Sequence, residues 1–440
     1  MGRQWCSWCF RKSWHSLLQH SYLKRNIYQC RLCGQQTVTC RLCSNMARAG
    51  KKWDDEFCAV HDGTIGSFDT LRIRLKNITE WKLITKREGV NIARAGKIAG
   101  GLIAVGLVAT GAGAIAAPAI GGAIGGLTGL SGAAATSYGL AVIGGGAVTA
   151  GGFGMAGGTT VIAVGAGLLG GTGGGILVNK FAGEINGFDI KTRRDGLGTQ
   201  VIFINGLLSQ GESLLQDWRP TLQDNFPNNT WYELAWESKR LRDLGKLALR
   251  GTQKVAFLKA AEKAAKVATK QATKKMFSAV WLPTILEIGG NPWLVALSKA
   301  QKTGQLLAEL ILRADGRARY VLFGHSLGAR VIYYTLQALA EANVKQPRIR
   351  EVHLLGGAVG RDRKTWKGID SAVDGRICNY FSKRDDVLRV LYKVGTLFTS
   401  EPIGRGPIES ISNKIYNIDV TDYVGGHGEL KKHLPMYICR

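Results

Sequence analysis

Short apolar runs of strand length recur from residue 199 onward. They are TQVIFING (199–206), TWYELAWES (230–238), ARYVLFG (318–324), REVHLLGG (350–357), GRICNYFS (375–382) and IYNIDVTD (415–422). Segments with helical spacing separate most of them. Such alternation of strand and helix predicts an α/β domain with a mostly parallel sheet, placed over 195–440. Between the second and third runs, residues 239–313 read as a long helical insert. Within it Lys259, Lys263, Lys266, Lys270 and Lys274 fall in an arc of about 80° at helical pitch. Phe257, Leu258, Ala261, Ala265, Ala268 and Met276 lie on the other side. A face of this kind is either solvated or laid against anionic lipid headgroups.

The stretch 98–179 follows neither period. It contains no charged residue and is built largely of Gly, Ala, Ile, Val and Leu. A spanning helix needs about 20 apolar residues, so 98–180 has room for about four spans, most simply two hairpins. Small residues recur four apart, as in Gly121–Gly125 and Gly170–Gly174, a spacing that lets membrane helices pack closely. The alternative is a Gly-rich linker, but an exposed one this rich in Ile, Val and Leu would aggregate. A basic connector, 68–97, precedes the stretch, and its LRIRLK alternates like a short strand. Arg87, Arg94 and Lys97 flank one end and Lys180 the other. An even number of spans with both flanks cytoplasmic satisfies the positive-inside rule. The expected location is a membrane, with the parts on either side of it in the cytoplasm.

The formal net charge of +26 favours an anionic partner, either membrane lipids at an acidic bilayer surface or nucleic acid. The basic residues are spread along the chain and no recognition-helix motif stands out, so nucleic acid is the less expected partner. Seven of the nine cysteines precede residue 60. Four pairs result: Cys6-x-x-Cys9, Cys30-x-x-Cys33, Cys40-x-x-Cys43 and Cys58-x-x-His61. Eight ligands in this spacing suit two tetrahedral Zn2+ ions, each closed by four protein groups and therefore structural. The start, MGRQWCSWCFRK, has no apolar leader, and the expected compartment is a reducing one. Residues 1–67 thus read as a double zinc-binding domain.

The cysteine layout resembles FYVE-type fingers, through Cys30-Arg31-Leu32-Cys33-Gly34 and Cys40-Arg41-Leu42-Cys43-Ser44. That resemblance implies a cross-brace, with pairs one and three on one ion and two and four on the other. Spacing alone leaves sequential pairing equally open. The basic double-histidine run of those fingers has no counterpart; RNIYQCR stands in its place. The gap between the middle pairs is longer, and His61 takes the last ligand position. Zinc is therefore expected, and phosphoinositide specificity is not. Trp5, Trp8 and Trp14 are candidates for docking a protein partner or a membrane.

The stretch YVLFGHSLGARVIYY carries G-x-S-x-G at Gly324–Gly328, between a predicted strand and a predicted helix. This is the setting of a nucleophile elbow, where glycines flank the serine because a Cβ would clash. Ser326 then stands at the carboxyl end of the sheet, and the Leu327 N–H at the helix start supplies one oxyanion donor. A serine nucleophile needs a base, and the base an orienting carboxylate. KRDD after the fifth run offers Asp385 or Asp386. YVGGHGEL after the sixth run offers His427. The order Ser, acid, His is that of α/β-hydrolase sheets. His353 lies inside a strand and reads as a core histidine; His433 falls in a terminal helix. FINGLLSQ places Leu207 as the second oxyanion donor. No cofactor is expected for catalysis.

FINGLLSQ, YELAWES, GHSLGARVIYY, LLGGAV, GRICNYFSKRDDVLRVLYK and NIDVTDYVGGHGELKKHLP together resemble the DUF726 family. These are membrane-associated α/β-hydrolase-like proteins, including the transmembrane and coiled-coil domain protein 4 group. The resemblance implies a lipase- or esterase-like activity and a Gly-rich apolar block before the domain. Two positions depart from it: His325 and Asp386 stand where the family carries aromatics, and the zinc-binding head is not typical. The resemblance at Asp386 implies Asp385 as the acid. The expected function is a membrane-associated Ser-His-Asp hydrolase of lipid or other carboxylic esters. The alternative is an inactive hydrolase fold used for docking.

Overall fold

A computed structural model of the protein describes residues 2–85 and 185–438, apart from 23, 51–52, 63–64, 186, 207–213, 238–291, 343–345 and 396–400. The apolar stretch 98–179, the lysine-striped helix 257–276 and Leu207 lie outside the described residues. Among the described helices, none is long and apolar enough to cross a membrane. The chain divides into two compact units.

The N-terminal unit is built of short antiparallel strands. β1 (Gln4–Trp5) pairs with β2 (Lys12–Ser13). β3 (His15–Gln19), β4 (Ile27–Cys30), β5 (Gln36–Thr39), β6 (Met46–Gly50) and β7 (Trp53–Asp54) form a meander in that order. Three of the cysteine pairs sit on matching turns, closed by Cys6 N–H to Arg11 O, Cys30 N–H to Gln35 O and Cys40 N–H to Asn45 O at 3.1, 3.0 and 2.9 Å. In two of these turns the residue after the second cysteine has positive φ. Gly34 (72°) adopts it freely; Phe10 (53°) does so under strain. The segment expected as a strand, Leu71–Lys76, instead begins as a 3-10 turn over Asp69–Arg72. Leu71 and Phe68 point into the small core with Cys40, Cys58 and Ile65, so packing overrides their alternation.

The second unit holds a seven-stranded sheet. Its strands are β8 (Asp189–Arg194), β9 (Gln200–Ile204), β10 (Trp231–Ala235), β11 (Tyr320–His325), β12 (Ile349–Leu355), β13 (Ile377–Phe381) and β14 (Ile415–Asp419). The spatial order is β14-β13-β12-β11-β9-β10-β8. All neighbours are parallel except β8 with β10. The mostly parallel sheet is as expected. β8 is not, and it lies before residue 195. Its DIKTRR buries only Ile190, because an edge strand leaves most side chains in water. Val201, Ile202, Phe203 and Ile204 are all fully buried, as a central parallel strand covered on both faces requires.

On one face lie α1 (Leu214–Asn225) and α5 (Leu430–Tyr437), over Phe203, Val321, Phe323 and Tyr380. On the other lies α3 (Leu327–Glu341), packed on α2 (Pro292–Arg313). A further helix, α4 (Asp386–Gly395), follows β13. Residues 292–313, expected at the end of the helical insert, form a helix whose described side chains are mostly buried in the domain core. Gly304 permits the close crossing: a Cβ there would lie 2.4 Å from Val331 O, and Thr335 Oγ1 donates to Gly304 O at 3.1 Å. At the far end of α2, Arg348 donates to the carbonyls of Ile311 and Ala314 at 2.7 and 2.9 Å, capping the last turn.

Gly328 is the tightest point of the fold. A Cβ there would stand 2.1 Å from Ile204 O, which is main chain of a central strand and cannot yield cheaply. Gly328→Ala is therefore expected to lower stability by about 3 kcal/mol. A denaturation midpoint unchanged from wild type would contradict this.

Candidate active site and metal centres

The turn between β11 and α3 consists of Ser326 alone. Its φ of 60° and ψ of −119° lie where residues with a Cβ seldom go. Both flanking glycines have a steric reason. A Cβ at Gly324 would meet Ala329 N at 2.7 Å, and the clash at Gly328 is described above. Hydrogen bonds hold the strained residue: Ser326 N–H donates to Leu355 O at 2.9 Å, and Ser326 O accepts from the N–H groups of Ala329 and Ala358, each at 3.2 Å. Ser326 is buried, and its Oγ has no hydrogen-bond partner among the described residues.

His427 follows Gly425 and Gly426 and precedes α5. Its Nδ1 lies 2.6 Å from Asp385 Oδ2, with both side chains buried. The carboxylate accepts, so Nδ1 carries the proton and Nε2 presents a lone pair. That Nε2, like Ser326 Oγ, is buried without a partner among the described residues. Asp385 lies just beyond β13, and its Oδ1 accepts from the Leu388 N–H at 3.0 Å. Asp386 is exposed and pairs with Arg389 at 3.0 Å. Burial and contact therefore single out Asp385 from the two adjacent aspartates.

Leu327 opens α3, so its N–H precedes the intrahelical ladder. The loop after β9 reaches it: a Cβ on Gly206 would lie 2.4 Å from Leu327 N and 2.9 Å from Ser326 Cβ. Gly206 thus abuts the elbow; Leu207 lies outside the described residues. The other two histidines of the domain have different surroundings. His353 is buried in β12, bonded through Nδ1 to the Tyr380 hydroxyl at 2.9 Å and stacked on Phe323. His433 is half-buried in α5.

In the N-terminal unit the eight predicted ligands form two clusters: Cys6, Cys9, Cys30 and Cys33, and Cys40, Cys43, Cys58 and His61. Within each, the donor atoms all lie within 4.8 Å of one another. Sulfur contacts are 3.9 Å (Cys6–Cys33), 4.0 Å (Cys9–Cys30) and 3.6 Å (Cys43–Cys58). His61 Nδ1 is 3.5 and 3.4 Å from the sulfurs of Cys40 and Cys58. A tetrahedron with Zn–S of about 2.3 Å and Zn–N of about 2.0 Å separates its corners by about 3.5–3.8 Å, so both clusters could hold a metal ion. The Leu42 and Asn45 N–H groups donate to the sulfurs of Cys40 and Cys43, both at 3.4 Å. Pairing is sequential, first with second and third with fourth, which corrects the cross-brace implied by the FYVE-type resemblance. The meander carries each knuckle onto its chain neighbour.

The tryptophans also divide. Trp5 is half-buried and stacked on Phe68 at 5.3 Å, and half-buried Trp8 donates to Gln36 O at 2.8 Å. Of the three docking candidates, Trp14 alone is exposed, at 51%.

A family model described as Protein of unknown function (DUF726) matches residues 86–439. The chain belongs to the DUF726 family. It is 32% identical over 269 residues to an uncharacterized membrane protein of Caenorhabditis elegans, covering 59% of this chain and 42% of that one. It is 29% identical over 214 residues to a probable lipase of Saccharomyces cerevisiae, covering 48% of this chain and 19% of that one. The chain thus spans under half the length of these relatives. Among solved structures, acetyl xylan esterase 1 from Thermoanaerobacterium sp. aligns with a TM-score of 0.26 at 13% identity, covering 55% of this chain and 74% of that one.

Several groups around the DUF726 elbow were not singled out from the sequence. Gly356, after β12, has φ of 52°; a Cβ there would meet Leu430 Cδ1 at 2.6 Å and His427 Nδ1 at 3.3 Å. The double glycine in LLGG was its only sequence trace. His325, noted only as a departure from the family, is buried with its Nε2 2.9 Å from His427 O. Burial, reinforced by His427 and Lys431 nearby, holds its imidazole well below the ordinary range and keeps it neutral. Buried Lys431 contacts Asp217 Oδ2 at 2.7 Å and Asn205 Oδ1 at 3.3 Å. Burial lowers its ammonium pKa, while Asp217 works against that shift.

Proposed function

We propose that this DUF726 chain is a membrane-associated serine hydrolase that cleaves a lipid or another carboxylic ester. The observation that carries the reading is the buried Asp385–His427 pair, whose Nε2 presents a bare lone pair at the end of the sheet where strained Ser326 presents an unpartnered Oγ. In the reaction Ser326 Oγ attacks the ester carbonyl carbon while His427 Nε2 takes its proton. Asp385 holds the tautomer and stabilises the imidazolium. The tetrahedral oxyanion accepts hydrogen bonds from the main-chain N–H groups of Leu327 and Leu207. His427 then returns the proton to the leaving alcohol, and water repeats the sequence on the acyl-enzyme. The name of the yeast relative supports the lipase class of reaction.

Membrane association follows from the uncharged stretch 98–179 and is supported by the name of the nematode relative. Two structural zinc ions hold the N-terminal unit. That unit suits an anionic bilayer surface: residues 1–53 contain ten lysines and arginines and no acidic residue. On its β3 hairpin Trp14, Leu17, Leu18 and Tyr22 are exposed.

The test is covalent labelling of the folded full chain with a fluorophosphonate. Wild type should be labelled and Ser326→Ala should not. A folded wild type that stays unlabelled sinks the catalytic reading and leaves the docking scaffold, which the unmade Ser326–His427 hydrogen bond would then favour. Catalytic hydrogen bonds are often long before substrate binds.

A further inference from the structure

Two buried side chains on the α5 face of the sheet are bonded within the fold beside the site, one to main chain and one to side chains. The first is His325. Its Nε2 lies 2.9 Å from the carbonyl oxygen of His427. A carbonyl only accepts, so Nε2 carries the proton. Its ring centroid is 4.8 Å from that of His427. The base sits in Gly425-Gly426-His427-Gly428, a sequence with wide backbone freedom. Asp385 restrains only its ring. The bond from His325 restrains its main chain, and it comes from the residue directly before the nucleophile.

The second is Lys431, one turn beyond His427. Burying an ammonium is costly unless it is paired. It bonds to Asp217 on α1 and to Asn205 Oδ1 at the end of β9, and lies 5.7 Å over the Trp218 ring. Trp218 Nε1–H also donates to Asn205 Oδ1 at 2.9 Å, and Trp236 Nε1–H to Asn205 O at 3.0 Å. Asn205 is thereby held at three points, directly before Gly206, whose main chain abuts the Leu327 N–H.

The two grips adjoin. β9 and β11 pair in parallel with Gly324 opposite Ile204, so Asn205 and His325 are the next pair along. Phe203 and Phe323 both pack on Trp218, and two residues further on Asn205 and His325 share that face. Asn205 Nδ2, a donor, and His325 Nδ1, an acceptor, are both buried without partners among the described residues.

We propose that His325 and Lys431 are positioning residues of one assembly, which sets the base His427 and the oxyanion loop at Asn205-Gly206 against the nucleophile. The proposal rests on the hydrolase reading, and it also has a consequence that does not need catalysis. The experiment compares full-length wild type, His325→Phe, His325→Gln, Lys431→Met and the double variant His325→Phe/Lys431→Met. It measures kcat and KM for a p-nitrophenyl ester and the amide hydrogen exchange of residues 425–430.

His325→Phe keeps the ring volume and loses the donor. Each of His325→Phe and Lys431→Met is expected to lower kcat by about tenfold or more with KM nearly unchanged. The double variant should lose less than the product of the single losses, because the two residues act on one assembly. Residues 425–430 should exchange about tenfold faster in His325→Phe, and His325→Gln, which can still donate to the His427 carbonyl, should recover much of the protection. Wild-type kcat together with wild-type exchange in His325→Phe overturns the proposal, as does strict multiplicativity of the two single losses. If wild type shows neither fluorophosphonate labelling nor turnover, the hydrolase reading fails and exchange alone judges the positioning. If Lys431→Met does not fold, the His325 variants decide.

Discussion

Asp385→Asn is expected to lower kcat for ester hydrolysis by about 10⁴-fold while the fold persists. Asp385 Oδ1 accepts from the Leu388 N–H, and Oδ2 faces His427 Nδ1. An asparagine that keeps the first bond turns its NH2 toward the imidazole. Nδ1 must then accept, the ring proton moves to Nε2, and the lone pair that would take the Ser326 proton is gone. The barrier rises by about 5.5 kcal/mol at that loss of rate. The control is Asp386→Asn. Asp386 is exposed and engages Arg389, and a surface substitution of this kind should leave kcat within about twofold. Steady-state kinetics on both variants, with thermal melts to confirm folding, decide the matter. A wild-type rate in Asp385→Asn, or a collapse confined to Asp386→Asn, would remove Asp385 from the mechanism.

Removing zinc should unfold the N-terminal unit. Its described apolar clusters are small and one includes the ligands Cys40 and Cys58 themselves. Structural zinc contributes on the order of 10–16 kcal/mol to such folds, more than cores of this size supply. Chelation should therefore abolish the dispersed NMR signals of residues 2–85. Elemental analysis of the purified chain should find two zinc ions. The pairing makes a sharper prediction. Cys6→Ala/Cys30→Ala breaks only the first cluster and should leave one ion. Cys6→Ala/Cys40→Ala breaks both and should leave none. A cross-brace requires the opposite pattern, so the two double variants discriminate directly.

Much of the site could be read from spacing because the forces involved are local. The strand before Ser326, the helix after it and the two glycines are one continuous steric requirement, and the structure gives each glycine its clash. The cysteine pairs were legible for the same reason: two residues between ligands form a tight knuckle wherever the knuckle goes. Six of the seven sheet strands were legible as short apolar-rich runs, five of them largely buried and β14 half-exposed at the edge. β8 was not, since Lys191, Thr192 and Arg193 face water on an edge. The alternation in LRIRLK misled for the converse reason, because two of its neighbours in the chain, Ile65 and Phe68, pull Leu71 into a core that fixes a turn.

By itself the sequence determined the α/β sheet, the elbow at Ser326, the chain order of the candidate acid and base, and eight donors in four pairs that could hold metal. Each is set by side-chain type and spacing within a few residues. Only the tertiary structure decided what depends on the path of the chain between distant residues. It chose Asp385 over its neighbour, because burial separates two adjacent carboxylates that no spacing rule can separate. It chose sequential over crossed metal clusters, because the meander returns each knuckle to the next. It also brought Lys431 to Asn205 across 226 positions, and the His427 carbonyl to His325 across 102. Those contacts arise from the order in which parallel strands and their helices stack, and that order is a property of the whole sheet.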